Sequence, residues 1–195
     1  MNTDRIREFF DKRAETWDET SVRDGEKIRE ILDLAQVSPG DRVLDVATGT
    51  GVLLPDYLLR NVASVVAIDL SPEMIRVAKQ KCGDPRVTFL IGDVLCSPVG
   101  GPFDVIMIYN AFPHFPDPSA LLARLSSLLA PGGRLVVAHG ASRAEIDAHH
   151  RGAASGVSLG LPEIGTLASL FPKTLTVTHM VSTDRLYVIV GERPL

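Results

Sequence analysis

Between Arg42 and His139 the chain alternates short, β-rich apolar runs with segments of helical pattern. The runs are RVLDVA, SVVAIDL, RVTFLIGD, FDVIMIYN and RLVVAH. The fourth is apolar at successive positions, as a strand covered on both faces of a parallel sheet should be. VLLPDYLLRN reads as helix. In SPEMIRVAKQKC, Ser71 is placed to cap a helix and Pro72 to occupy its first position, with Ile75, Ala78 and Cys82 on one face. PSALLARLSSLLAPGG reads as a helix with Leu121, Leu122, Leu125, Leu128 and Leu129 turned inward, stopped at Pro131-Gly132-Gly133. After these five β-α units, TLTVTHMVSTDRLYVIVGE holds two β runs separated by little more than Thr183-Asp184, which should pair antiparallel. The expected fold is α/β, a doubly wound, Rossmann-like sheet.

The flanks are helical. In KIREILDLAQV, Ile28, Ile31, Leu32 and Ala35 recur with the spacing of one helix face, and SPGD ends the pattern. Residues 1–40 are therefore expected to form an N-terminal helical cap. SRAEIDAHHR opens with a capping box, Ser142 to Glu145. GAASGVSLG is rich in small residues, so the insert at 142–160 suits a mobile lid. PEIGTLASLF reads as a short helix. A chain of 195 residues, 45% hydrophobic and 23% charged, fits one domain spanning 1–195. The net charge of −4 and the absence of any Lys/Arg block argue against nucleic acid. No run approaches the ~20 apolar residues of a membrane span, and the N-terminus lacks a secretory apolar stretch. Cys82 and Cys96 are far apart and are expected to be reduced thiols of a cytoplasmic protein.

Ligands of doubly wound sheets bind beyond the carboxyl ends of the strands. Those ends read Asp45-Val46-Ala47-Thr48-Gly49-Thr50-Gly51, Asp69-Leu70, Gly92-Asp93-Val94, Tyr109-Asn110 and His139-Gly140. Three of the five present a carboxylate, which repels phosphate and needs partners when buried. The dinucleotide fingerprint G-x-G-x-x-G fails at its third position, where Leu54 stands. The set suits a ligand with a cationic centre and hydroxyl groups.

In these motifs and their order the sequence resembles the class I S-adenosylmethionine-dependent methyltransferases, in particular the small-molecule group that includes quinone-biosynthesis enzymes. VLDVATGTG resembles the first motif of that family, VVAIDLSPEMIRVAKQK the second, FLIGDV the third, FDVIMIYNAFPHF the fourth and LAPGGRLVVAH the next. FFDKRAETWD resembles the family's N-terminal flap. The resemblance runs from about Val37 to the C-terminus. It implies a seven-stranded sheet of order 3-2-1-4-5-7-6 with the last strand antiparallel, and S-adenosyl-L-methionine as cofactor. Asp45, with the backbone at Ala47, Gly49 and Gly51, would hold the methionine part, its carboxylate aided by N–H groups near a helix start. Asp69 would accept the ribose hydroxyls. Leu70 and Met74 would pack on the adenine, and Asp93 would accept from its amino group beside Val94. Asn110 would sit by the methionine part, and Trp17 and Phe10 would close over the pocket. The first glycine of the family motif is Ala47 in this chain.

Methyl transfer from a sulfonium needs alignment and exclusion of water, and a base only if the acceptor must lose a proton. YNAFPHFPDP projects Tyr109 and His114 toward the acceptor side, and His114 is the best candidate base. His139 ends the fifth strand and is a further catalytic candidate; with Arg143 it could hold an anionic or phenolic acceptor. Adjacent His149 and His150 point about 100° apart on a helix, and the histidine spacing fits no metal-ligand pattern. The family's base-modifying N-P-P-Y, a nucleophilic cysteine and the acidic ligands of the magnesium-dependent type are all missing where they would stand. The expected reaction is metal-independent transfer of a methyl group to O, N, S or C of a small-molecule acceptor. An alternative is a cofactor-binding subunit inactive without a partner protein, and a dinucleotide oxidoreductase is a third reading. Whether the chain is a homodimer is left open by the sequence.

Overall fold

The computed structural model describes residues 2–20, 23–151 and 156–195, with backbone only at 149–151. Strands β1 (Arg42–Val46), β2 (Ser64–Asp69), β3 (Val87–Ile91), β4 (Phe103–Tyr109), β5 (Leu129–His139), β6 (Thr176–Ser182) and β7 (Tyr187–Glu192) form one sheet. Its order is β3-β2-β1-β4-β5-β7-β6. The first five strands run parallel, and β7 lies antiparallel between β5 and β6. This is the order and polarity that the resemblance implies.

Helices α1 (Thr3–Asp11), α2 (Trp17–Thr20) and α3 (Gly25–Leu34) precede the sheet, with a 3-10 turn at Ala14–Thr16. Between and after the strands come α4 (Leu54–Leu59), α5 (Pro72–Lys81), α6 (Pro118–Ser127), α7 (Arg143–Arg151) and α8 (Ile164–Leu170). Local chemistry sets several starts. Ser71 Oγ accepts from the Met74 amide at 3.1 Å, and Pro72 opens α5. Glu145 Oε2 accepts from the Ser142 amide at 2.9 Å while Ser142 Oγ accepts from the Glu145 amide at 3.2 Å, a reciprocal capping box.

Strand parity assigns side chains to two cores. Val43, Val105, Met107, Val136 and Ala138 face α3 and α4, where Ile28, Ile31, Leu32 and Tyr57 are fully buried. Leu44, Ile106, Ile108, Leu135 and Val137 face Leu121, Leu122 and Leu125 of α6 and Leu167 of α8. Because successive side chains alternate, Asp45 falls on the Val43 side and His139 on the Leu135–Val137 side.

Two expectations are corrected. Helix α6 ends at Ser127, and Leu129 already pairs with Phe103 as the start of β5. Pro131-Gly132-Gly133 therefore lies within the strand, at the irregularity between the Phe103 and Val105 pairings. A Cβ on Gly133 would stand 2.9 Å from the Ala130 and Phe103 carbonyl oxygens, so only glycine fits that crossing. The connection from β3 to β4, read as one of five β-α units, contains no helix.

Candidate cofactor and acceptor site

The carboxyl ends of β1, β2 and β4 open on a cavity of about 450 Å³. Asp45 and Asp69 are buried at its floor, with 2% and 9% of their surface exposed. Thr48 donates to Asp45 Oδ2 at 2.6 Å and Tyr57 donates to Oδ1 at 3.2 Å. Burial dominates over these bonds, and with the nearby Asp69 charge it pushes the Asp45 carboxyl up to about 7. Asp69 accepts from the Gly49 amide at 2.8 Å and the Ser71 amide at 2.9 Å, so it ties the glycine loop to the start of α5. Burial raises its carboxyl to about 6 against the pull of those amides. Both groups suit a ligand that brings positive charge and hydroxyl donors.

The glycine loop turns tightly. Gly49 and Gly51 have φ of 56° and 80°, and a Cβ on Gly51 would stand 2.7 Å from Leu54 Cδ1. Ala47 has φ of 55° and takes the same left-handed form with a side chain. Leu70, Met74, Asp93 and Val94 line the cavity from the β2 and β3 sides. Asp93 Oδ1 also accepts from the Leu95 amide at 2.9 Å, which fixes its turn. Asn110 lines the cavity with φ of 53°, and its Oδ1 accepts from the Gly140 amide at 3.0 Å. Lys27 in turn donates to the Gly140 carbonyl at 3.0 Å.

The N-terminal segment roofs the cavity. Phe10 packs edge-on against Trp17 at 5.5 Å and against His114 at 5.0 Å, so one ring joins the two ends of the roof. Ala14 and Trp17 pack with Met74 and Val77 of α5. Three acids of this segment meet three groups along α5: Asp11 accepts from Ser71, Glu15 pairs with Arg76, and Asp18 accepts from Lys81. Asp18 Oδ1 also accepts from Thr50 at 2.6 Å, linking roof to glycine loop. Burial opposes ionisation of Asp18, yet the bonds from Lys81 and Thr50 prevail and its pKa is lowered.

Beyond the carboxyl end of β4, His114 and Tyr109 line the cavity. The Val157 carbonyl lies 2.8 Å from His114 Nδ1. A carbonyl only accepts, so Nδ1 carries the proton and Nε2 is the basic nitrogen of the neutral ring. Leu159 donates its amide to the Pro113 carbonyl at 2.8 Å, and Val157 is buried against Ile6 of α1. The described end of the insert is thus stitched to the roof; residues 152–155 lie outside the described residues. Burial raises the Tyr109 phenol, opposed in part by its bond with Asn110.

Of the site candidates, His139 and Arg143 are not among the described residues that line the cavity. His139 is buried on the Leu135–Val137 side of the sheet, edge-on to Tyr187 with ring centres 6.1 Å apart. Arg143 is also spent elsewhere, pairing with Glu163 and with Asp147. The side chains of His149 and His150 lie outside the described residues. Among the described residues no three His, Cys, Asp or Glu side chains form a group that could hold a metal ion. Thr48, Tyr57, Asp18, Arg23 and Lys81 were not singled out in the sequence. The spacing of Asp11, Glu15 and Asp18 was the available sign of an acidic helical face.

The sheet order and the acid-ended strands around a glycine loop are similar to those of class I methyltransferases of the S-adenosylmethionine-dependent type. Residues 43–133 match the family model described as a methyltransferase domain. Over 106 residues, 52% of this chain, it is 39% identical to a ubiquinone biosynthesis O-methyltransferase of Xanthomonas axonopodis pv. citri, covering 44% of that protein. It is 40% identical over 115 residues to a demethylmenaquinone methyltransferase of Thermus thermophilus, 56% of this chain and 51% of that one. The chain spans about half the length of the curated relatives it matches. In fold it is similar to the N-methyltransferase NodS of Bradyrhizobium japonicum bound to S-adenosyl-L-homocysteine, with TM-score 0.74, 17% identity and all of both chains covered. It is also similar to the methyltransferase chain of a Haloferax volcanii complex with the Trm112 methyltransferase activator, with TM-score 0.85, 21% identity, and 97% of this chain and 98% of that one covered.

Proposed function

We propose that this chain transfers a methyl group from S-adenosylmethionine to a small, planar, hydroxylated ring of phenol or quinol type, without a metal ion. The observation that carries the reading is the continuity of the cavity. Its floor presents Asp45 and Asp69, and its roof continues through Phe10 to His114 in the 3-10 turn that follows β4. The names of the ubiquinone and demethylmenaquinone relatives point to the same acceptor class.

The cofactor supplies an already activated methyl group on a sulfonium. Asp45 meets its ammonium, Asp69 its ribose hydroxyls, and Leu70 and Met74 the adenine. Trp17 and Phe10 keep water from the reacting centre. Phe10 and Phe115 offer apolar surface to a flat ring. His114 Nε2 takes the proton that the acceptor hydroxyl loses. The counterparts of a magnesium-dependent site after the fourth and fifth strands are Asn110 and His139-Gly140, and His139 does not line the cavity.

The test is a panel of catechols and demethylated quinols incubated with the chain and S-adenosylmethionine, with and without EDTA. The expected result is formation of S-adenosylhomocysteine with at least one ring acceptor, unchanged by EDTA. His114→Gln should lower kcat, by less as the pH approaches the pKa of the acceptor hydroxyl, whereas a purely packing role would raise KM alone. A chain that binds the cofactor yet turns over only with a co-purified protein would favour the partner-dependent reading, which the likeness to the Haloferax chain keeps in view.

A further inference from the structure

A histidine that takes a proton through Nε2 needs its other nitrogen held by a third group. At His114 separate segments of the chain converge. The 3-10 turn Phe112–His114 carries the ring, and α1 lays Phe10 edge-on against it. The segment that returns from α7 supplies the Val157 carbonyl, 2.8 Å from Nδ1. A main-chain carbonyl thus stands where a carboxylate orients the histidine of a catalytic triad.

That carbonyl is anchored on both sides. Gly156 borders α1, where a Cβ on it would stand 3.4 Å from Arg5 Nη2. The Val157 side chain is buried in a small apolar cluster with Ile6, Phe10 and Leu70. Leu159 donates its amide to the Pro113 carbonyl at 2.8 Å. Leu161 is buried and donates its amide to Asp147 Oδ1 of α7 at 2.9 Å. Pro113 and His114 are consecutive, so the segment clamps the turn twice, once at its main chain and once at the ring. Among the described residues none of this segment lines the cavity. It reaches the site through His114.

Resting on the reading that His114 is the base, we propose that Val157 is its positioning residue. The carbonyl accepts from Nδ1–H, which fixes one tautomer and favours the imidazolium formed when Nε2 takes the acceptor's proton. The buried side chain holds the carbonyl in place. The Leu159 amide, and Asp147 through Leu161, are its outer supports.

The experiment reads tautomer and turnover separately. Long-range 1H–15N correlation spectra of the labelled chain at about pH 8, where imidazole is neutral, show which ring nitrogen carries the proton, and His114→Gln assigns the signal. The unaltered chain should show Nδ1 protonated. Leu159→Pro removes one clamp and little packing, because the Leu159 side chain is 55% exposed. It should let both tautomers appear and lower kcat about 10-fold, a part of what a general base contributes. The acceptor is the most active of the catechols and demethylated quinols, and affinity for S-adenosylhomocysteine should stay within about twofold. Leu159→Ala keeps the amide and should keep the Nδ1-protonated form. Asp147→Ala removes an outer support without touching the clamp, should move both readings in the same direction by less, and carries the test if the proline variant does not fold. An Nε2-protonated ring in the unaltered chain, a tautomer unmoved by the variants, or a moved tautomer with unchanged kcat would overturn the proposal. An Nδ1-protonated ring in a chain that methylates no ring acceptor would overturn the proposed function and the base role with it, a distinct result.

Discussion

Asp69 Oδ2 accepts the amide hydrogen of Gly49 at 2.8 Å, while Oδ1 accepts that of Ser71 at 2.9 Å. The residue expected to bind ribose thus also builds the site, joining β2, the glycine loop and α5. Asp69→Asn sets an NH2 group against one of these amides. The expected loss is about 1–3 kcal/mol of stability, together with loss of S-adenosylhomocysteine binding. Urea unfolding and a ligand titration check it; a variant that unfolds and binds like the parent would remove Asp69 from both roles.

Ala47 occupies a left-handed conformation, φ 55°, that glycine adopts without strain. Ala47→Gly relieves a penalty of roughly 1–2 kcal/mol and returns part of it as freedom of the unfolded chain. The net expectation is a gain of about 0.5–1 kcal/mol in chemical denaturation, with cofactor affinity kept. A destabilised glycine variant would show that the alanine methyl packs usefully.

The fold was largely legible because its signals are local. Ser71-Pro72 and Ser142 with Glu145 mark helix starts by chemistry within one turn, and the strand ends named Asp45 and Asp69 directly. Where long-range pairing decides, local signals misled. Pro131-Gly132-Gly133 carries a turn signature, yet pairing of Leu129 with Phe103 draws it into β5. The end of a strand brings His139 near the site, but its face follows from parity with Leu135 and Val137. Arg23 and Asp18 gave no local sign, since their partners Asp56, Thr50 and Lys81 lie far along the chain.

The roof is fastened to α5 by three polar pairs, of which the two ion pairs lie at the surface, where such pairs contribute little to stability. Lys81→Gln removes the partner that touches both Asp18 and Thr50. It should leave the urea midpoint nearly unchanged and speed amide hydrogen exchange in residues 3–20 several-fold. It should also quicken cofactor release in stopped-flow measurements. Unchanged exchange in the N-terminal segment would show that Phe10 and Trp17 packing alone holds the roof.

Asp45 and Asp69 give opposite pH dependences to folding and to binding. Their carboxyls lie near 7 and 6 in the folded chain against 3.8 unfolded. Between those limits the folded chain binds more protons than the unfolded one, so stability falls as pH rises through the folded values. The ligand-free chain should therefore resist urea better at pH 5 than at pH 8, so far as these two groups decide. A ligand ammonium favours ionised Asp45. S-Adenosylhomocysteine should bind more tightly as pH rises from about 5.5 toward 7.5, and binding near pH 6.5 should release protons. Calorimetry in two buffers of different ionisation enthalpy measures that release directly. An Asp45→Asn variant should lose the pH dependence of binding together with most of the affinity. Retention of a steep pH dependence in that variant would assign the titration to another group.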